Sequence, residues 1–305
     1  MSKTAKYSLL LLLAAAIWGF AFVAQSAGGD AIGPFTFNSI RNLIGAAVLV
    51  PVILLLDRFG YGKKPRNKKE RRKLFLCGSL IGIVLFLATN LQQLGITYGR
   101  SAGKAGFLTA CYLILVPVIG LFLGKKPGIH IWIAVVIAMA GIWLLSVSEA
   151  SGLSWTDIVL LLSALAFAVQ IILIDRFVAD VDGVRLAAIQ FLVCGLLSAV
   201  PMLVTETGSW AGEAGPLSAF MRPDAWGSIL YAGLLSCGVA YTLQIVGQKN
   251  VPPTLASLLM SFESVFCVLG GWLLLGERMS VKQIIGCVLV FAAILLAQFG
   301  ERSRK

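Results

Sequence analysis

Ten apolar stretches, each about one bilayer long, occupy nearly the whole chain, and residues 88–147 recur 152 positions later without a gap. A helix needs roughly 20 apolar residues to cross a hydrocarbon core of about 30 Å. The stretches predict spans at 7–25, 34–56, 74–98, 105–123, 130–147, 155–174, 185–204, 226–248, 254–275 and 281–299. The longest segments between them, 57–73 and 205–225, are too short for a soluble domain. Five crossings is an odd number, so the second copy must thread the membrane in the opposite sense to the first. Inverted halves let one chain adopt an inward-open and an outward-open arrangement. The expected fold is therefore an all-α membrane protein. It has ten transmembrane helices, as two inverted five-helix repeats at 1–150 and 151–305, around a central cavity.

The composition agrees. Of the 305 residues 58% are apolar and 13% charged, against roughly 45–50% and 25% in soluble domains. A net charge of +11 is a candidate signal for nucleic acid, but its distribution argues against that. With the N-terminus inside, nineteen of the 25 Lys and Arg fall on the cytoplasmic side and five on the other, Arg41 being inside a span. This is the positive-inside bias. It predicts a multi-pass protein of the cell membrane with both termini cytoplasmic, the lipid bilayer as partner and no nucleic acid. The basic stretch Arg58–Lys73 reads as a topology anchor, with anionic headgroups as a second candidate role.

The six cysteines all fall within spans, none in a CxxC pair, and the lone His130 sits at a span edge. Neither a disulfide framework, a zinc site nor any cofactor is expected. Lys3 and Lys6 followed by Leu9–Leu13 resemble a signal peptide. The repeat argues for a first transmembrane helix instead, since Leu11 falls on Leu160 and Trp18 on Phe167 at an offset of 149. Ile40 falls on Ile189 and Arg41 on Gln190 at the same offset. At 152, Gln92 falls on Gln244, Gly95 on Gly247, Gly124 on Gly276 and Lys126 on Arg278. A unit this long is a single duplication, not a solenoid.

The second half carries Ser261-Phe-Glu-Ser-Val-Phe266 and then Gly271-Trp-Leu-Leu-Leu-Gly-Glu-Arg278. With Trp18-Gly19 and the two-times-five layout, the chain resembles the drug/metabolite transporter superfamily, EamA type, over nearly its whole length. The first half departs from that pattern, with Leu123-Gly-Lys-Lys-Pro127 lacking the Glu-Arg pair. The family's frequent Pro after the mid-helix Glu is Ser264 here, which gives no support to a kink at that point. The resemblance implies a ten-helix fold with a central cavity that exports or imports small metabolites.

Polar side chains are costly in hydrocarbon, so those present face a cavity or one another. Helical spacing gathers them into stripes: Trp18, Phe22 and Gln25; Asn38, Arg41 and Gly45; Asn90, Gln93 and Thr97; Gln190, Cys194 and Ser198; Cys237, Tyr241, Gln244 and Gln248. Interhelical hydrogen bonding, worth roughly 0.6 kcal/mol each, competes with a substrate-lined interior as their explanation. Glu263 lies nine positions into the ninth span, about 14 Å from the cytoplasmic edge. A charge there costs at least roughly 2.5–3.5 kcal/mol, so Glu263 is the candidate proton carrier, with amine ligand and permanently bonded carboxylic acid as alternatives. Arg41, near the outer end of its span, either snorkels outward or reads a carboxylate or phosphate with its planar fork. Trp18, Tyr112, Tyr241, Phe262 and Phe266 lie at middle depths. Trp132, Trp155, Trp210 and Trp226 suit interfacial belts.

These readings predict a secondary transporter working by alternating access. The candidate substrate-binding residues are Trp18, Asn38, Arg41, Asn90, Gln93, Tyr112, Gln190, Tyr241, Gln244 and Glu263. The substrate is expected to be a small polar or amphiphilic metabolite, and Arg41 with Glu263 would suit a zwitterion such as an amino acid, with export the favoured direction. A passive channel or a sensor without flux is the alternative. An enzyme is not expected: the lone His130 sits at a span boundary, no pair of Asp lies mid-span, and Ser261 with Glu263 does not make an activated nucleophile. Monomer and homodimer are equally compatible with the pattern.

Overall fold

The structure is a computed structural model, and it describes residues 3–60, 63–99, 102–146, 154–206, 223–275 and 280–302. The repeat boundary expected at 150 and 151, and the belt candidate Trp210, lie outside the described residues. Ten helical segments run back and forth: α1 Lys3–Ala31, α2 Pro34–Arg58, α3 Lys68–Gly99, α4 in two pieces (α4a Ala102–Ala110, α4b Tyr112–Phe122) and α5 Ile129–Ser146. The second five are α6 Trp155–Phe177, α7 Gly183–Pro201, α8, α9 and α10 Val281–Arg302. A π-helical turn, Met202–Glu206, extends α7. α8 passes from Pro223–Leu230 through a π-helical stretch, Tyr231–Tyr241, to Thr242–Gln248. α9 also comes in two pieces, α9a Pro253–Met260 and α9b Glu263–Leu275.

Eight of these are long and apolar enough to cross a membrane, and two shorter apolar stretches, Ile129–Leu144 and Val281–Ala297, supply α5 and α10. Their lipid-facing sides are apolar: Leu54, Val136, Val204 and Val288 are all exposed. The helices start where local chemistry allows. Pro34 and Pro253 sit in first turns, where the missing N–H has no partner to lose. Ser154 and Asp157 form a capping box at the start of α6. α3 begins six residues before its expected start, so the basic run Lys68–Lys73 forms its first turns.

The repeat is visible in the packing. α2 lies along α7 and α5 along α10, each helix against its own counterpart. α3 packs on α6 as α8 packs on α1, α4 on α6 as α9 on α1, and α3 on α7 as α8 on α2. Shifting every helix by five thus maps the contacts onto themselves. Lipid gives no hydrophobic drive to helix association, so close contact must come from small residues and hydrogen bonds. Gly95 of α3 lets Leu160 of α6 approach until a Cβ on it would lie 2.4 Å from the leucine Cγ. Gly247 of α8 receives Leu11 of α1 in the same way, at 2.8 Å. Both residues of one contact are the repeat mates of the other.

Two large apolar clusters, with two smaller ones around Phe37 and Phe22, fill the interior. Of the large ones, one joins α1, α4, α5, α6, α9 and α10; the other joins α2, α3, α6, α7 and α8. Trp18 and its repeat mate Phe167 pack against both, so they mark the junction between the clusters.

Candidate functional site

At that junction is a small hollow of about 50 Å³, far below the roughly 300–1,000 Å³ of small-molecule sites, so its walls must part to admit a substrate. α1 contributes Trp18, Phe22 and Gln25; α6 contributes Phe167, Gln170 and Ile171. Gln92 of α3 is matched by Gln244 of α8. At an offset of 149 Trp18 falls on Phe167 and Phe22 on Ile171, and at 152 Gln92 falls on Gln244. The hollow therefore straddles the pseudo-two-fold relation between the halves.

Its two charged residues break that symmetry. Arg41 of α2 falls on Gln190, and Glu263 of α9 falls on Cys111. The Arg41 guanidinium is 97% covered by protein (3% exposed). It donates to Gln25 Oε1 at 3.1 Å and lies over the Phe37 ring, 5.4 Å from its centroid, while its Nε has no protein partner. Glu263 Oε1 accepts from the Tyr112 hydroxyl at 3.3 Å. Arg41 and Glu263 do not pair with each other among the described residues. Both are held by neutral groups, and each keeps capacity for a further partner.

Backbone breaks position the carboxylate. α9 stops at Met260 and restarts at Glu263, with tight bonds from Phe262 N to Leu259 O and from Ser264 N to Ser261 O. α4 stops at Ala110 and restarts at Tyr112, with Cys111 N bonded to Leu108 O. Glu263 and Tyr112 are each the first residue after their break, and they meet. The N–H groups that follow the α9 break stay bonded, Ser264 N to Ser261 O and Val265 N to Phe262 O, so the break is a tightened turn and not a free helix end. The α9 break occurs with Ser264 where a proline would have explained it. Ser261 Oγ instead donates to Leu258 O, a side-chain bond that competes with the helical ladder.

The hollow is under-bonded. Trp18 Nε1, Arg41 Nε, Thr109 Oγ1, Gln170 Nε2 and Gln244 Oε1 all line it and have no protein partner. Leaving a buried donor or acceptor unmet costs about 1–3 kcal/mol each, so the hollow is a polar-lined space suited to water or a polar solute. Trp18 and Tyr241 meet edge to face, with centroids 4.8 Å apart, and give the site an aromatic wall.

The profile of the EamA-like transporter family matches residues 5–147 and again 154–299. The chain belongs to the EamA-like transporter family. It is 27% identical to the uncharacterized transporter YoaV of Bacillus subtilis (strain 168), over 98% of this chain and 99% of that one. It is likewise 27% identical to an uncharacterized transporter of Archaeoglobus fulgidus, over 94% and 83%. The threonine/homoserine exporter RhtA of Escherichia coli (strain K12) is 25% identical over 96% and 90%. A crystal structure covering 99% of both chains superposes with a TM-score of 0.77 at 20% identity, which shows the shared fold. This EamA-like chain is a multi-pass membrane transporter of the drug/metabolite transporter superfamily.

Of the residues expected at its site, Trp18, Arg41, Tyr112, Tyr241, Gln244 and Glu263 line the hollow. Asn38, Asn90, Gln93 and Gln190 do not. Asn38 Nδ2 donates to Thr89 O and Asn90 Oδ1, and Asn90 Nδ2 donates to Ser198 Oγ and Phe86 O. Gln93 Nε2 donates to Gln25 O. Gln190 is fully buried with neither amide atom partnered. The first three join helices, which is the hydrogen-bonding explanation of their stripes. Of the mid-depth aromatics, Phe262 and Phe266 stack on each other instead of lining the hollow. Gln92, Thr109, Gln170 and Ser236 line it without having been expected to. Gln92 was legible as the repeat mate of Gln244; the others carried no periodic signal.

Proposed function

We propose that this transporter moves a small zwitterion, an amino acid or close relative, outward across the cell membrane by alternating access. The carrying observation is that a single hollow between inverted halves holds one buried cation, Arg41 of the first half, and one buried carboxyl, Glu263 of the second. The Arg41 fork suits a carboxylate, and Glu263, bonded to the Tyr112 phenol, suits an ammonium group or a proton. The unpartnered amides of Gln170 and Gln244 would meet the rest of the substrate. The name of RhtA, an exporter of threonine and homoserine, supports both substrate class and direction. The charge distribution supports cytoplasmic termini, and the doubled family match supports a division into repeats 1–150 and 151–305.

The test is flux in proteoliposomes over amino acids, amines and nucleotide sugars. Saturable amino-acid flux is expected, lost in Arg41→Gln. Clear flux of another class with none for any amino acid rejects the substrate assignment, and ion currents in planar bilayers would favour a channel. Glu263→Gln is expected to abolish flux driven by a pH gradient while leaving exchange of substrate for substrate. Unchanged pH-driven flux removes Glu263 as proton carrier.

A further inference from the structure

α2 and α7 lie against each other as repeat mates, and both ends of this pair are tied by a carboxylate. At an offset of 149, Asp57 falls on Glu206, Thr36 on Arg185 and Gly33 on Asp182. At one end Asp57 Oδ1 accepts from Arg185 at 2.5 Å, and Lys64 lies 3.2 Å from its other oxygen. At the opposite end Glu206 reaches the first turn of α2. Its Oε1 accepts from Phe35 N at 2.9 Å, and its Oε2 from Thr36 N at 2.8 Å and Thr36 Oγ1 at 2.5 Å. The last acidic residue of each helix thus holds the first turn of the other. The positions are related by the repeat, although the chemistry differs.

The difference has a local origin. Asp182, the N-cap of α7, caps its own helix by accepting from Arg185 N at 2.9 Å. Gly33, the N-cap of α2, has no side chain with which to do this. A Cβ on it would lie 2.3 Å from the Glu206 carboxyl carbon. The glycine leaves the cap vacant and the other half of the molecule fills it, where a carboxylate is favoured by the unpaired N–H groups.

We propose that Asp57 and Glu206 are paired latches on the two mouths of the transport path, both closed in this structure, each released to open its own side. The proposal rests on the alternating-access reading but not on the substrate. Three observations carry it. The latches sit at opposite ends of one helix pair, with the hollow between those ends. Outside the Asp57 latch is an open vestibule of about 680 Å³, lined also by Lys63, Lys73, Asp180 and Asp182. There Lys73–Asp180, at 2.8 Å, likewise joins the first half to the second, as Lys125–Asp175 does beside a separate surface cleft. Bonds of this kind exchange for bonds to water at small net cost, so they can hold a mouth shut without locking it.

The test reads access and needs no substrate. Ser236, in the wall of the hollow, is replaced by cysteine in a chain whose native cysteines are alanine. A membrane-impermeant maleimide is then applied from either face of oriented vesicles. A second preparation, with cysteine at Asn67 in the α2–α3 connection, identifies which face is which. Asp57→Asn is expected to raise labelling at least about fivefold from the Asn67 face alone, and Glu206→Gln by as much from the opposite face alone. Gly33→Asp, which gives α2 its own cap and displaces Glu206 without altering it, is expected to act as Glu206→Gln does. It decides the matter if the glutamate variant fails to fold. Unchanged labelling, a rise from both faces, or a rise from the wrong face overturns the latches. Failure of amino-acid flux with face-selective labelling intact would count against the substrate alone.

Discussion

A single methylene decides how near two helices come at this site. A Cβ on Gly19 would lie 2.4 Å from Phe266 Cβ, 2.6 Å from Glu263 O and 2.8 Å from Cys267 N. Two of those atoms are backbone and cannot rotate away, so α1 and α9b would have to separate. Gly19→Ala is expected to lower stability by about 1–3 kcal/mol and to move Trp18 away from Glu263. Gly106→Ala, with nothing within 4 Å of the added carbon, is the control. It should be neutral or gain up to about 1 kcal/mol of helix propensity. Thermal melting in detergent checks both. The close approach to Glu263 is made by Gly19 of the neighbouring helix, which no pattern within α9 could reveal.

At the level of helices, the repeat yields matched pairs whose members can be compared. Gly95→Ala presses on Leu160 and Gly247→Ala on Leu11, side chains that can turn aside. Each is expected to destabilise by less than Gly19→Ala, and the two by similar amounts, near the lower end of the about 1–3 kcal/mol overpacking range. A melting temperature for one unchanged while the other falls steeply would show that the halves do not share their packing. Periodicity found eight of the ten spans within three residues of a helix or its pieces, the first and third running up to six residues longer, and placed the polar stripes. It did not find the breaks at Cys111 and at Ser261–Phe262. A broken helix keeps its hydrophobic pattern through the break, because the same faces still meet the same neighbours.

For the whole molecule, the packing makes the repeats interdependent. α2 lies on α7, α5 on α10, α3 on α6 and α7, and α1 on α8 and α9, so nearly every helix has its main neighbour in the other half. The notches at Gly19, Gly95 and Gly247 are filled from the other half, and Asn90 bonds to Ser198 across the two. Residues 1–150 or 151–305 expressed alone should therefore be degraded. The two expressed together should co-purify, because cutting at 150 removes none of the helix contacts. Stable, folded single halves in a pull-down and melting assay would refute this.

The ten-helix layout in two inverted repeats was legible in the order of apolar and polar residues, as was the presence of Glu263 and Arg41 as charged groups inside spans, since hydrocarbon penalises any other reading. What that order left open was which polar groups share a space. Asn38 and Asn90 show the same spacing as Trp18 and Tyr241, yet they bond between helices while the others line the hollow. One stripe looks the same whether it faces a neighbour or a void, and only the placing of three or more helices around a point distinguishes the two. Tyr112 meeting Glu263, and Glu206 filling the cap vacated by Gly33, likewise join residues about 150 and 170 positions apart. Those contacts exist because the halves interlock, and the folded packing alone created them.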